Sequence, residues 1–164
     1  MIFVTVGHQI PFDRMVRLVD EWAGRTGRRD VYAQIGETDY RPKHIAFERY
    51  LSRSQFDACL ERCSQVVAHA GVGTIIQAVL KQKPLLVLTR LSSLRETRSD
   101  HQVGTAKHFA AQGQLLAAFD DMEFLAGLDR LESFVPRGGV GLQASPALLA
   151  RIRAFLDETM RSQA

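Results

Sequence analysis

His69–Val79 reads HAGVGTIIQAV, and this stretch decides how the rest of the chain is read. The apolar run QVVA (65–68) leads into it and a helix-like run leaves it. Gly71 and Gly73 sit where a strand hands over to a helix, just ahead of Thr74. Glycine at such a turn lets a ligand approach the backbone closely. A helix starting near Thr74 offers unpaired N–H groups in its first turn, and these suit a phosphate. The helix dipole contributes about 0.3–1 kcal/mol at an exposed site. Direct hydrogen bonds to a charged oxygen are the larger effect, at roughly 1.5–3 kcal/mol each. Two common phosphate signatures are missing. Ile76 stands where the dinucleotide fingerprint needs a third glycine, and no Gly-Lys pair supplies a P-loop. A ligand-free reading also fits: Thr74-Ile75-Ile76-Gln77 has the pattern of a capping box, as does Ser99-Asp100-His101-Gln102.

Outward from this turn, strands alternate with helices. IFVTV (2–6), VYAQI (31–35), IAFERY (45–50), QVVAHA (65–70), PLLVL (84–88) and QLLAA (114–118) read as strands. Helices are expected from Pro11, where Phe12, Met15, Val16, Val19 and Trp22 fall on one stripe, and from Ser54 to about Cys63. Others are expected over Thr74–Gln82, Asp100–Gln112, Asp121–Leu131 and Pro146–Met160, with a loop at PRGGVG (136–141). This order predicts an α/β fold, a Rossmann-like parallel sheet with helices on both faces. Ligands of such folds bind beyond the carboxyl ends of the strands. Gly7–Gln9, Gly36 and HAGVGT all lie at such ends, and each carries glycine.

The length of 164 residues predicts one domain spanning 1–164. A net charge of +3 comes from scattered arginines without interleaved aromatics, which argues against nucleic acid as a partner. No apolar window approaches the length of a membrane span, and MIFVTVGHQ lacks the basic start of a signal peptide. Cys59 and Cys63 share a helix face and read as reduced thiols, because no second Cys/His pair completes a zinc site. Leu148, Leu149, Ile152, Phe155, Leu156 and Met160 give the last helix an apolar face beside Arg151, Arg153 and Arg161. That face is expected to pack on this domain, the alternative being a partner or a membrane surface.

MIFVTVG at the start, PFDRMV (11–16), QIG (34–36), HAGVGT (69–74) and DHQ (100–102) occur in order with fitting gaps. With these segments the chain resembles the C-terminal domain of glycosyltransferase family 28, in its short single-domain form. Such chains are donor-binding subunits of two-component enzymes, among them bacterial exopolysaccharide subunits. The resemblance implies the C-terminal half of a GT-B fold, which binds a UDP-sugar. It also implies a membrane-associated partner that holds a lipid-linked saccharide acceptor. The chain is then cytoplasmic, recruited to the cytoplasmic face of the membrane by that partner.

Residue by residue, Gly71, Gly73 and Thr74 are expected at the diphosphate, with His69 ending the strand that presents them. Gln77 stands where the family usually has a glutamate for the ribose hydroxyls. Asp100 and Gln102 match the segment that reads sugar hydroxyls. Gly7 and His8 face the cleft, and His8 is the candidate general base, since imidazole titrates near neutral pH. No metal-binding DxD pair lies in a suitable place, so departure of UDP is expected to need no metal cofactor. Arg95 and Arg98, which with Arg90 lie in the polar loop before Asp100, carry guanidinium groups, and these pair well with carboxylates. They are candidate contacts for a uronic acid donor, the other donor types being glucosyl and N-acetylglucosaminyl. The inverting chemistry of the family implies a β-linkage from an α-linked donor. Two other readings stay open: a non-catalytic module that stabilises a partner glycosyltransferase, and an unrelated nucleotide-binding domain acting alone.

Overall fold

The run IFVT is apolar or β-branched without alternation, and all four residues are buried in strand β1 (Ile2–Thr5). A strand covered on both faces has this pattern. The computed structural model describes residues 1–138 and 146–161. After β1 come α1 (Asp13–Thr26), β2 (Val31–Gln34), β3 (Ala46–Glu48), α2 (Arg53–Arg62) and β4 (Gln65–His69). Then follow α3 (Val72–Leu80), β5 (Leu85–Leu88), α4 (His101–Ala111), β6 (Leu116–Ala118), α5 (Asp121–Arg130) and α6 (Pro146–Arg161). The strands form one sheet in the order β3-β2-β1-β4-β5-β6, and every neighbouring pair is parallel. Residues 139–141 of the expected 136–141 loop lie outside the described residues.

Successive strand residues point to opposite faces, and the core divides accordingly. Ile2, Val4, Val67 and Leu86 pack with Met15, Val16, Val19 and Trp22 of α1 and Phe124 and Leu128 of α5. Phe3, Val66, Ala68, Leu85 and Val87 pack with Leu60 of α2, Ile75, Ala78 and Val79 of α3, and Ala106 of α4. The stripe expected on α1 is therefore the one that is buried. Cys63 is buried and Cys59 half-buried, both as free thiols.

Three helix starts differ from the sequence expectation. Ser52, not Ser54, caps α2, and a capping box forms with Gln55. Ser52-Arg53-Ser54-Gln55 fits the S-x-x-Q box and Ser54-Gln55-Phe56-Asp57 does not, so the signal for Ser52 was present in the sequence. α3 begins at Val72, capped by Gly71 with no side-chain bond, so the Thr74–Gln77 box does not form. Thr74 lies inside the first turn instead, and its side chain is not needed as a cap. The Ser99–Gln102 box does not form either: Asp100, not Ser99, is the residue before α4, and it makes no cap bond, its carboxylate accepting from Ser92 N at 2.8 Å.

α6 departs furthest from expectation. Leu149, Ile152, Phe155, Leu156 and Met160 are 42%, 47%, 66%, 53% and 72% exposed. The helix thus presents its apolar face to the outside, and does not bury it on this sheet.

A buried carboxylate organises the long connection from β2 to β3. Asp20 on α1 accepts from the backbone N–H of Lys43, His44 and Ile45 at 3.0, 2.7 and 3.2 Å, and from the Tyr40 hydroxyl at 2.7 Å. Burial pushes its pKa up, but these donors outweigh burial and hold it below the ordinary 3.8. Asp20→Ala would strand the three amides, with an expected loss of about 2–4 kcal/mol by denaturant unfolding at pH 7. A depressed carboxylate pKa stabilises the fold above its unfolded value and loses that effect as pH falls through its folded value. The gap between wild type and Asp20→Ala is therefore expected to narrow below pH 3.8.

Candidate functional site

The strand order reverses between β1 and β4, the neighbours from which the sheet grows both ways. In open α/β sheets the ligand crevice opens at the carboxyl ends of that pair. Here those ends are Gly7–Pro11 after β1 and Ala70–Gly71 after β4.

The ring of His69 joins the two. Gly7 takes a φ of +81°, and a Cβ on it would lie 2.8 Å from His69 Cε1. A Cβ on Gly71 would come closer still to His69 Nε2. Both positions exclude a side chain because the imidazole fills the space. His69 Nδ1 is buried without a hydrogen-bond partner among the described residues. Burial, then the nearby Arg90 charge, lowers the imidazole pKa to about 4. The ring is neutral at physiological pH.

A hydrogen-bond chain fixes the loop after β1. Thr5 Oγ1 donates to Gln34 Oε1 at 2.6 Å, and Gln34 Nε2 donates to the Gly7 carbonyl at 3.0 Å. Gly36, at the end of β2, takes a φ of +62° and lies against Val6 and Gly7.

Two cavities flank this loop. One, of about 290 Å³, is lined by Thr5, Gly7, His8, Gln34, Leu51, Arg53, Phe56, Gly73, Thr74 and Gln77. The other, of about 340 Å³, is lined by Val6–Ile10, His69, Arg90, Thr97, His101 and Gln102. Gly7 and His8 belong to both and form the ridge between them. The His8 ring stands 5.7 Å from that of Tyr50, tilted by 44°. A Cβ on Gly73 would meet nothing within 4 Å. That residue faces open cavity above the first turn of α3. Two larger hollows, of about 480 and 670 Å³, involve Gly113 ahead of β6 and Arg28–Asp30 ahead of β2. They lie at the amino end of the sheet, where such folds do not place ligands.

Of the residues singled out in the sequence, Gly7, His8, Gly73, Thr74 and Gln77 share the first cavity. Gly7, His8, His69 and Gln102 share the second. Gly71 shapes the junction between them through its contact with His69. Gln102 is buried, and its Oε1 accepts from Arg90 N at 3.3 Å. Asp100 is exposed and lines neither cavity; its bond to Ser92 N holds its pKa below the usual carboxylate range. Arg95 and Arg98 are exposed and line neither cavity. Thr5, Gln34, Phe56, Arg53 and His101 escaped the sequence reading, and Arg90 stood there only as one arginine of the loop before Asp100. Gln34 and His101 lay inside the quoted segments QIG and DHQ, and that was the signal for them.

The model of the glycosyltransferase family 28 C-terminal domain matches residues 1–132. The chain belongs to this family. A curated relative, UDP-N-acetylglucosamine transferase subunit ALG13 of Eremothecium gossypii, is 42% identical over 62 residues, which cover 38% of this chain and 29% of the relative. The chain thus matches less than a third of that relative's length. Among solved structures, ALG13 in solution superposes with a TM-score of 0.60 at 17% identity, covering 89% of this chain and 91% of that one. The calicheamicin glycosyltransferase CalG4 gives 0.57 at 14% identity, covering 83% of this chain and 34% of that one. These likenesses concern the fold. The sheet is that of the C-terminal half of a GT-B glycosyltransferase, and the HAGVGT turn lies at its point of strand reversal.

Two glycines of that turn have opposite tolerances. Gly71→Ala forces the His69 ring to move and is expected to cost roughly 1–3 kcal/mol. Gly73→Val meets open space and is expected to change stability by less than about 0.5 kcal/mol. Thermal or denaturant unfolding of the two variants checks this contrast.

His69 makes its own pH signature. The unfolded imidazole binds a proton near 6.5, while the folded one resists until about 4. Stability is therefore lost as pH falls across that window, because the unfolded state binds more protons there. His69→Asn is expected to remove this part of the pH dependence, measured as unfolding free energy against pH.

Proposed function

We propose that this chain is the donor-binding subunit of an inverting, two-component glycosyltransferase that takes a UDP-sugar. The observation that carries this is the pair of cavities meeting at Gly7 and His8, with Gly73 open above the N-terminus of α3. The chain offers a compartment on each side of a glycine ridge, which suits a nucleotide on one side and its sugar on the other. The family membership and the name of the ALG13 relative, a UDP-N-acetylglucosamine transferase subunit, support the same reading.

In this reading the nucleoside occupies the cavity of Gln34, Phe56 and Gln77. The neutral Gln77 amide bonds a ribose hydroxyl. The diphosphate crosses the ridge over Gly73, within reach of the first-turn N–H groups of α3. The failure of the Thr74 capping box leaves those amides without a side-chain partner. The sugar lies in the cavity of Gln102, and its type, glucosyl, N-acetylglucosaminyl or glucuronosyl, is set there. The acceptor hydroxyl attacks the anomeric carbon as the bond to the diphosphate oxygen breaks. Its proton passes to a base, for which His8 on the ridge is the candidate. Fixed N–H dipoles stabilise the departing UDP without a metal.

The acceptor, a lipid-linked saccharide in exopolysaccharide synthesis, is held by a membrane-associated partner subunit. The exposed apolar face of α6 supports such docking. Among the described residues, no helix is long and apolar enough to cross a membrane. A cytoplasmic chain recruited by its partner fits that description.

Calorimetric titration of UDP into the full chain tests the reading, with Gly73→Val alongside. Wild type is expected to bind UDP. Gly73→Val is expected to fold normally and lose at least about ten-fold in affinity, because its side chain occupies the diphosphate path. If wild type binds no UDP, alone or with a co-expressed partner, the accessory-module reading replaces this one. Equal affinity in the variant would remove the diphosphate from the α3 turn.

A further inference from the structure

Arg90 follows β5 and is only 3% exposed. Such a cation is ordinarily matched by a carboxylate, but this one is not. Its Nη1 donates to the carbonyls of Pro11 and Glu96 at 2.5 and 3.3 Å. Its Nη2 donates to those of Val6 and Ile10 at 2.8 and 2.6 Å. The guanidinium lies 4.4 Å from the centre of the buried Phe12 ring. The nearest acidic side chain, Glu96, is engaged elsewhere: its carboxylate accepts from Arg14 at 2.7 and 2.8 Å and from Leu91 N at 3.1 Å. Burial lowers the Arg90 pKa to about 10, which still leaves the side chain charged at neutral pH.

Three of those four carbonyls, from Val6, Ile10 and Pro11, bracket the ridge residues Gly7 and His8. Arg90 also lines the cavity that holds His69 and Gln102. We propose that Arg90 is a positioning residue of the donor site: it clamps the loop after β1 and places a positive charge, without a salt-bridge partner among the described residues, on the side of the ridge where the diphosphate meets the sugar. This rests on the donor-site reading above. The guanidinium fork suits the clamp because it reaches several carbonyls at once, which a lysine ammonium does less well. Its charge acts in a partly desolvated cavity, where a phosphate feels it more strongly than in water.

The test compares UDP with uridine, which lacks the diphosphate, by calorimetry on the full chain. Wild type, Arg90→Gln, Arg90→Lys and the exposed control Arg62→Gln are measured, co-expressed with the partner if binding requires it. Arg90→Gln is expected to weaken UDP by at least about ten-fold and uridine by much less. Arg90→Lys is expected to keep most of the preference for UDP over uridine, while hydrogen exchange of the amides of residues 7–10 speeds up. Arg62→Gln is expected to match wild type in both. Equal loss of UDP and uridine in Arg90→Gln, or no loss, overturns the electrostatic role. If Arg90→Gln does not fold, Arg90→Lys decides: unchanged exchange over residues 7–10 overturns the clamp. Wild type that binds neither ligand overturns the donor-site reading itself. Exchange in Arg90→Lys still judges the clamp in that case, since it needs no ligand.

Discussion

The site depends on one contact: the imidazole of His69 wedged between the backbones of Gly7 and Gly71. β1 and β4 are hydrogen-bonded along their length, but that pairing ends at Thr5 and Ala68. Beyond it nothing in the sheet fixes how the two following loops lie relative to each other. The ring supplies that constraint. It also explains why both glycines are small for a steric reason, where a reading based on backbone freedom alone would treat Gly71 and Gly73 alike.

Around this contact the loops are held by polar groups. The Thr5–Gln34–Gly7 chain approaches from the β2 side, and Arg90 approaches from the β5 side. Each satisfies carbonyls that a strand end leaves without a partner. Asp20 plays the inverse part at the connection from β2 to β3, gathering amides around an anion. The loops of the site are thus ordered from beneath by buried side chains.

Most of the fold was legible because it is written in local patterns. The strands are short apolar runs, the α1 stripe has helical spacing, and their alternation specifies parallel pairing. Gly7, His8, Gly73 and Thr74 line the cavities because strand ends in this architecture converge, whereas Gln77 and Gln102, which line them too, had been named from the family resemblance. What stayed hidden depends on distance in sequence. Arg90 bonds carbonyls 79–84 positions away, and in the sequence it was one of three arginines in a polar loop. Arg95 and Arg98 carry the same charge but are exposed, and only the turn of the chain separates them from Arg90. The capping boxes misled because they need the backbone to turn at the right residue: Gly71 starts α3 before Thr74 can cap it, and Asp100, not Ser99, precedes α4.

The sheet's two margins are also unusual in being so brief. β3 and β6 are each three residues long, and β3 is partly open to solvent. Edge strands this short offer few free amides and carbonyls for another chain to pair with. The exposed apolar surface is concentrated instead on a helix, α6. Unwanted self-association of the purified chain therefore has a side-chain route and scarcely a backbone one.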